Sequence, residues 1–264
     1  MNVFLLTDLE GIPQIFSIDE IDRLSENYII AREKLTAHIN HAAEICKQNG
    51  AENIYFLDGH AGGGNVIDER TAPFAKKITV AEWEALLKEG GIDCAVELGS
   101  HARAGTLFGF LDHTTNSKRV FSLEINGIEQ SELSIHALFN GVFGVPTVMC
   151  SGDEAACLQA KEYIPDIVTA PVKKALCRNE CEGFENCGEI FEKALAKALA
   201  EYKNIKLYEL CKAESFRVRM TFYRSDMCEE NMAKAKFPCE RIDARTLERT
   251  IGAKELFSYH QLVF

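Results

Sequence analysis

Apolar runs and amphipathic stretches follow one another along the chain in a regular order. Asn2 to Thr7 is a short, mostly apolar run that ends in Asp8, the pattern of a buried strand with polar residues at its C-terminal end. Glu26 to Gln48 carries Ile30, Leu35, Ile39, Ala42 and Ile45 at helical spacing and predicts a long amphipathic helix. Asn53 to Leu57 predicts the next strand, closed by Asp58-Gly59-His60 and the flexible Ala61-Gly62-Gly63-Gly64. Asp93 to Leu98 predicts another strand, ending in Gly99-Ser100-His101, and Asn126-Gly127 marks a hairpin with a type I′ turn. Glu129 to Asn140 is predicted as a helix, Pro146 to Cys150 as a strand closed by Ser151-Gly152-Asp153, Glu154 to Tyr163 as a helix, and Ile167 to Ala170 as a strand.

Buried strands alternating with helices predict an α/β fold, a mostly parallel sheet with helices on both faces. After a helix over Glu189 to Tyr202 the grammar changes. Phe216 to Arg224 predicts a strand, Glu229 to Lys236 a short helix, Arg241 to Ala244 a brief strand and Thr246 to Leu262 a closing helix. The expected organisation is a catalytic, metal-binding α/β domain over 1–204 and a small C-terminal α+β subdomain over 205–264. There is no internal repeat and no linker rich in Pro, Gly or Ser.

Composition narrows the function. Hydrophobic residues make up 47% and charged ones 26%, proportions of a globular protein rather than a disordered one. With 29 basic against 40 acidic side chains the formal net charge is -11, and no Lys/Arg run stands out. Such a surface does not attract phosphate backbones or anionic lipid, so neither nucleic acid nor a membrane is an expected partner. Asp8 and Glu10 interrupt the first apolar run, and no later stretch reaches the roughly 18 apolar residues of a spanning helix. The expectation is a cytoplasmic protein whose ten cysteines are reduced thiols.

The polar residues gather where an open α/β sheet builds its ligand site, at the C-terminal ends of the strands. Asp8 and Glu10 follow the first strand, Asp58 and His60 the second, His101 and Arg103 the third; His113 sits in Phe-Leu-Asp-His-Thr. Glu132 and His136, four apart on a helix, share a face. Taken singly, Asp8-Leu9-Glu10 is as well explained by a solvated loop, and each histidine by local hydrogen bonding. Three polar strand ends converging on one edge make the difference: carboxylates with imidazoles suit zinc or another divalent ion.

Thr7-Asp8-Leu9-Glu10-Gly11, Asp58-Gly59-His60, Gly99-Ser100-His101-Ala102-Arg103-Ala104, the Gly109–Thr114 run, Ser131-Glu132-Leu133 and Val145-Pro146 through Ser151-Gly152-Asp153 together resemble the D-aminopeptidase family. This is peptidase family M55, whose DppA-type members are also described as dipeptide-transport proteins. The resemblance is close over about residues 1–175 and loose in the tail. It implies a metallo-aminopeptidase with two Zn2+ per chain, or another divalent metal, bridged by Asp8 and completed by Glu10, His60, His101 and Glu132. It further implies His113 as nucleophile or base, a short peptide substrate losing its N-terminal residue, of D or L configuration, and a ring-shaped homo-oligomer, a decamer by family resemblance. Five ligands exceed what one tetrahedral zinc with an open position takes, but suit two ions sharing a carboxylate. Ser131, Leu107 and His136 depart from the family pattern without removing a ligand. Arg103, His136 and Lys173 are weaker, substrate-binding candidates. The alternatives are a metal-dependent hydrolase of another amide or of a phosphoester, and a non-enzymatic peptide-binding protein.

Other signals carry less. Cys177, Cys181 and Cys187 lack the paired knuckle spacing of structural zinc, and Gly62-Gly63-Gly64 lacks the Lys-Ser/Thr of a P-loop. His38, His41 and His260 read as structural or surface residues.

Overall fold

The computed structural model describes residues 1–264. In chain order its regular elements begin with β1 (Asn2–Thr7), α1 (Asn27–Gln48), β2 (Asn53–Asp58), β3 (Ala75–Lys77), α2 (Val80–Glu89) and β4 (Cys94–Ser100). Next come β5 (Val120–Ile125), β6 (Ile128–Glu129), α3 (Glu132–Val142), β7 (Thr147–Asp153), α4 (Glu154–Tyr163), β8 (Val168–Cys177) and β9 (Glu180–Gly183). The chain closes with α5 (Cys187–Glu201), β10 (Ser215–Phe222), α6 (Ser225–Lys234), β11 (Glu240–Arg241) and β12 (Thr246–Gly252).

Seven strands form one sheet in the order β3-β2-β1-β4-β7-β8-β9, parallel throughout except for the β8–β9 pair. Val3 to Leu6 and Cys94 to Leu98 are buried on both faces, as central parallel strands must be. The covering helices pack in pairs, α1 on α5 and α3 on α4. From β1 the chain moves outward through β2 to β3, then returns to place β4 on the other side of β1. The β1–β4 seam is therefore the topological switch point, where an α/β sheet opens a crevice beyond its strand ends. Register sets Thr7 beside Asp58 on one flank and Leu98 on the other, so the residues that follow these strands meet at that crevice.

A second, antiparallel sheet runs β11-β12-β10-β5-β6. The β5–β6 hairpin turns at Asn126 (φ 53°) and Gly127 (φ 80°), both left-handed, as the type I′ turn requires. This sheet joins the C-terminal segment to residues 120–129, and Leu247, Ile251 and Leu262 belong to the same buried cluster as Val3 and Leu5.

The closing helix expected over Thr246 to Leu262 is not formed. Thr246 to Gly252 is strand β12, followed by short 3-10 turns at Ala253–Glu255 and Tyr259–Gln261. Leu247, Arg249 and Ile251 alternate inward against β10, and β-branched Thr246, Thr250 and Ile251 favour that pairing over a helix. Helix α3 starts at Glu132 rather than Glu129 because Ser131 caps it, its hydroxyl accepting from the Ser134 amide at 3.2 Å. No helix is long and apolar enough to cross a membrane.

Candidate metal centre

The segment after β1 stays stitched to β4: the Asp8 amide donates to Leu98 O and the Gly11 amide to Gly99 O, each at 2.7 Å. Glycine is needed on both sides of this seam. A Cβ at Gly11 would lie 2.3 Å from the Gly99 carbonyl carbon, and Gly99 adopts φ +77° with its own Cβ position 2.2 Å from Asp8 O. Drawn this close, Asp8 and Glu10 face the residues that follow β2 and β4.

Asp8 lies between two imidazoles, its Oδ1 3.2 Å from His60 Nδ1 and its Oδ2 3.2 Å from His101 Nε2. Glu10 Oε2 approaches His60 Nδ1 at 2.8 Å from the buried side. Glu132, first residue of α3, brings Oε1 to 3.5 Å from His101 Nε2 and 3.6 Å from His113 Nε2, while accepting from the Thr115 amide at 2.8 Å. The His101 and His113 rings stack with centroids 3.9 Å apart. Each of these two rings directs Nδ1 at a carbonyl, His101 at Ala102 O (3.0 Å) and His113 at Leu111 O (2.8 Å). With the proton held on Nδ1, both present an Nε2 lone pair to the site.

The donor set fits divalent cations. Three overlapping groups, Asp8/Glu10/His60, Asp8/His101/Glu132 and Glu10/His101/His113, each bring one ligand atom per residue within 4.8 Å of the others. His101 Nε2 is sealed from solvent yet makes no hydrogen bond, an orphan that a metal would satisfy. Burial works against charge on His60, but the Glu10 and Asp8 carboxylates outweigh it and push its pKa up to about 11. The same balance raises His101 well above the ordinary imidazole value and holds Asp8 well below the carboxylate range. The cluster favours positive charge among its carboxylates, which a divalent ion supplies.

The weaker candidates stand apart from this cluster. Arg103 turns outward to Glu129 (3.2 Å) and Glu162 (3.5 Å) rather than toward the acid cluster. His136 lies one turn beyond Glu132 but points to Glu97 and Tyr259. Lys173 is fully buried and turned away from the cavities, its ammonium donating to the carbonyls of Glu10, Ile12 (2.7 Å) and Ile15 (2.6 Å). It pins the loop that carries Glu10. None of the ten cysteines is in a disulfide, and none joins a metal-binding group.

Two cavities flank the cluster, one of about 640 Å³ and one of about 660 Å³, and Asp8, Thr115 and Glu132 line both. The first is walled by Trp83 and Ile78 and reaches Glu97 and Tyr259; the second holds His60, His113 and Lys118. Trp83, Glu97, Thr115 and Tyr259 were not anticipated. Trp83 had a local signal, since Thr79 and Glu82 form a capping box that announces α2. The others line the site only through long-range packing.

A model of the D-aminopeptidase family matches residues 1–259. The D-aminopeptidase of Bacillus subtilis (strain 168) is 28% identical over 214 residues, covering 78% of this chain and 76% of its own. A solved structure, the Zn-dependent D-aminopeptidase DppA from Bacillus subtilis, described as a self-compartmentalizing protease, superposes with a TM-score of 0.87 at 24% identity. The match covers 99% of this chain and 95% of that one and shows a common fold.

Proposed function

The chain belongs to the D-aminopeptidase family and is an aminopeptidase; from that premise we propose that it binds two zinc ions and removes the N-terminal residue, D residues included, from short peptides. The observation that carries this reading is Asp8, with one carboxylate oxygen 3.2 Å from His60 and the other 3.2 Å from His101. Asp8, together with Glu10, His60, His101 and Glu132, would hold the metal pair. When bound, such a pair polarises the amide carbonyl and stabilises the charge that develops on its oxygen.

The chain's own groups supply the rest. His113 directs Nδ1 at the Leu111 carbonyl and keeps Nε2 free, so Nε2 takes the proton from the attacking water and returns it to the leaving amine. Asp8 and Glu132 line both cavities, so a peptide lying across them has its scissile bond at the cluster. The N-terminal side then occupies the Trp83 cavity and the remainder the more polar His113 cavity. Self-association into a ring-shaped homo-oligomer belongs to the same reading, and exposed Leu24, Ile29, Leu107 and Phe108 are the apolar surface available for it.

The test is metal content together with turnover. Zinc-loaded protein is expected to hold two ions per chain, to lose them on Asp8→Ala, and to hydrolyse D- or L-aminoacyl amides. Turnover of phosphoesters alone, or full activity in stably metal-free protein, would overturn the proposal.

A further inference from the structure

The Trp83 cavity contains a polar group that the metal cluster does not use. Its walls include Ile78, Trp83 and Phe264, and within it lie Glu97, His136 and Tyr259. Glu97 comes from β4, three residues before the strand's end at Ser100, and is 3% exposed. His136 Nδ1 lies 3.3 Å from Glu97 Oε1 and 3.4 Å from Oε2, but only Oε2 receives a hydrogen bond; Oε1 has no donor. His136 Nε2 lies 3.1 Å from the Tyr259 hydroxyl, and Trp83 Nε1 is already committed to Asn140 Oδ1 at 3.0 Å. No lysine or arginine pairs with Glu97, and it belongs to none of the metal-binding groups.

A buried carboxylate with an unmet acceptor, set among apolar walls, is matched by a ligand with an apolar stem and a hydrogen-bond-donating end. We propose that this cavity binds the side chain of the N-terminal residue and selects a basic one, a lysine-, ornithine- or arginine-like chain whose cationic end meets Glu97. The proposal rests on the aminopeptidase reading, because that reading places the N-terminal residue beside the cluster. Its stem lies against Trp83 and Ile78, and the cation takes the Oε1 position that no group of the chain fills. The volume, about 640 Å³, exceeds what an alanine side chain needs by a wide margin. The net charge of -11 draws cations toward the protein.

Lysyl and norleucyl amides differ in the terminal ammonium and test the subsite on the zinc-loaded enzyme. The wild type is expected to prefer lysyl over norleucyl amide in kcat/KM by about tenfold or more, and Glu97→Gln to bring the two within about threefold. The ratio is internal to each variant, so partial misfolding does not distort it. Tyr259→Phe, which frees His136 Nε2, is expected to narrow the same ratio and replaces Glu97→Gln if that variant does not fold. A wild-type ratio near one overturns the proposal. So does an unchanged ratio in the variant, whether activity is kept or falls equally on both substrates; an equal fall would assign Glu97 to the main-chain ammonium. If no aminoacyl amide is hydrolysed, the aminopeptidase reading itself has failed. Calorimetric binding of lysinamide against norleucinamide then decides the subsite by the same margins.

Discussion

His113 lies face to face with His101, ring centroids 3.9 Å apart and planes 8° from parallel, although the two come from different parts of the crevice. His101 is sealed in the cluster and His113 stands on its open side, where Nε2 reaches Glu132 Oε1 at 3.6 Å. The stack fixes the orientation of the more exposed ring.

His113→Ala therefore separates chemistry from metal binding. Under the proposed roles kcat falls by roughly 10²–10⁴-fold, the loss of one positioned general base. Zinc content stays at the wild-type value. Loss of zinc in parallel with activity, measured by elemental analysis, would reassign His113 to the ligand set.

Lys173→Met tests the loop that carries Glu10. The substitution leaves the buried Glu10 carbonyl without a donor, at a cost of about 1–3 kcal/mol if no water replaces the ammonium, whereas Ile12 O keeps the Ile15 amide at 3.1 Å and Ile15 O the Cys181 thiol at 3.4 Å. Because Glu10 lies in this loop, zinc affinity is expected to drop about 10–100-fold, as for other groups that orient a ligand. Urea denaturation of the metal-free protein reads the first effect and zinc titration the second. Wild-type values in both would show that the tether is dispensable.

Gly11→Ala places a methyl group against the Gly99 backbone, 2.3 Å from its carbonyl carbon. Backbone cannot swing aside as a side chain does, so the β1 and β4 ends must separate. The expected destabilisation exceeds the roughly 1–3 kcal/mol of ordinary overpacking, and zinc binding weakens with it. An unchanged melting temperature would mean that the seam is more pliable than the packing indicates.

His38 links stability to pH away from the metal cluster. Its Nε2 is buried without a partner and its ring packs on Phe191 at 4.5 Å; burial first, then the neighbouring His41 and Lys173 charges, pull its pKa down to about 3. The unfolded chain takes up a proton below about 6.5, whereas the folded chain stays neutral there, so unfolding binds a proton between these values. The contribution of His38 is full above pH 6.5 and is lost as pH falls toward 3. In metal-free protein, His38→Phe should match the wild type near pH 7.5 and exceed it near pH 5 in urea midpoint. Parallel pH dependence in the two proteins would contradict this.

Much of the site was legible because its chemistry is local to strand ends. Asp8 after β1, His60 after β2 and His101 after β4 each follow a short apolar run, and a parallel sheet puts such residues on one edge whatever the helices do. His113 and Glu132 stood among the polar candidates from the sequence alone, and the resemblance to a known family gave them roles that the strand pattern does not reach. The burial of Lys173 was not legible, because a lysine near a strand end looks the same in sequence whether it reaches solvent or is committed to three carbonyls. The closing helix misled for a related reason: Thr246-Leu-Glu-Arg-Thr-Ile fits either period over so few residues, and pairing with β10 decides it.

By itself, then, the sequence determined the alternation of strands and helices, the parallel sheet, and which carboxylates and imidazoles end its strands, because periodicity and turn chemistry act over neighbouring residues. Tertiary structure alone decided that Glu97 meets His136 and Tyr259, that Thr115 holds Glu132, and that residues 120–129 share a sheet with the C-terminal strands. These contacts join segments far apart in the chain, and only the packing of the whole core chooses among the partners that each local pattern permits.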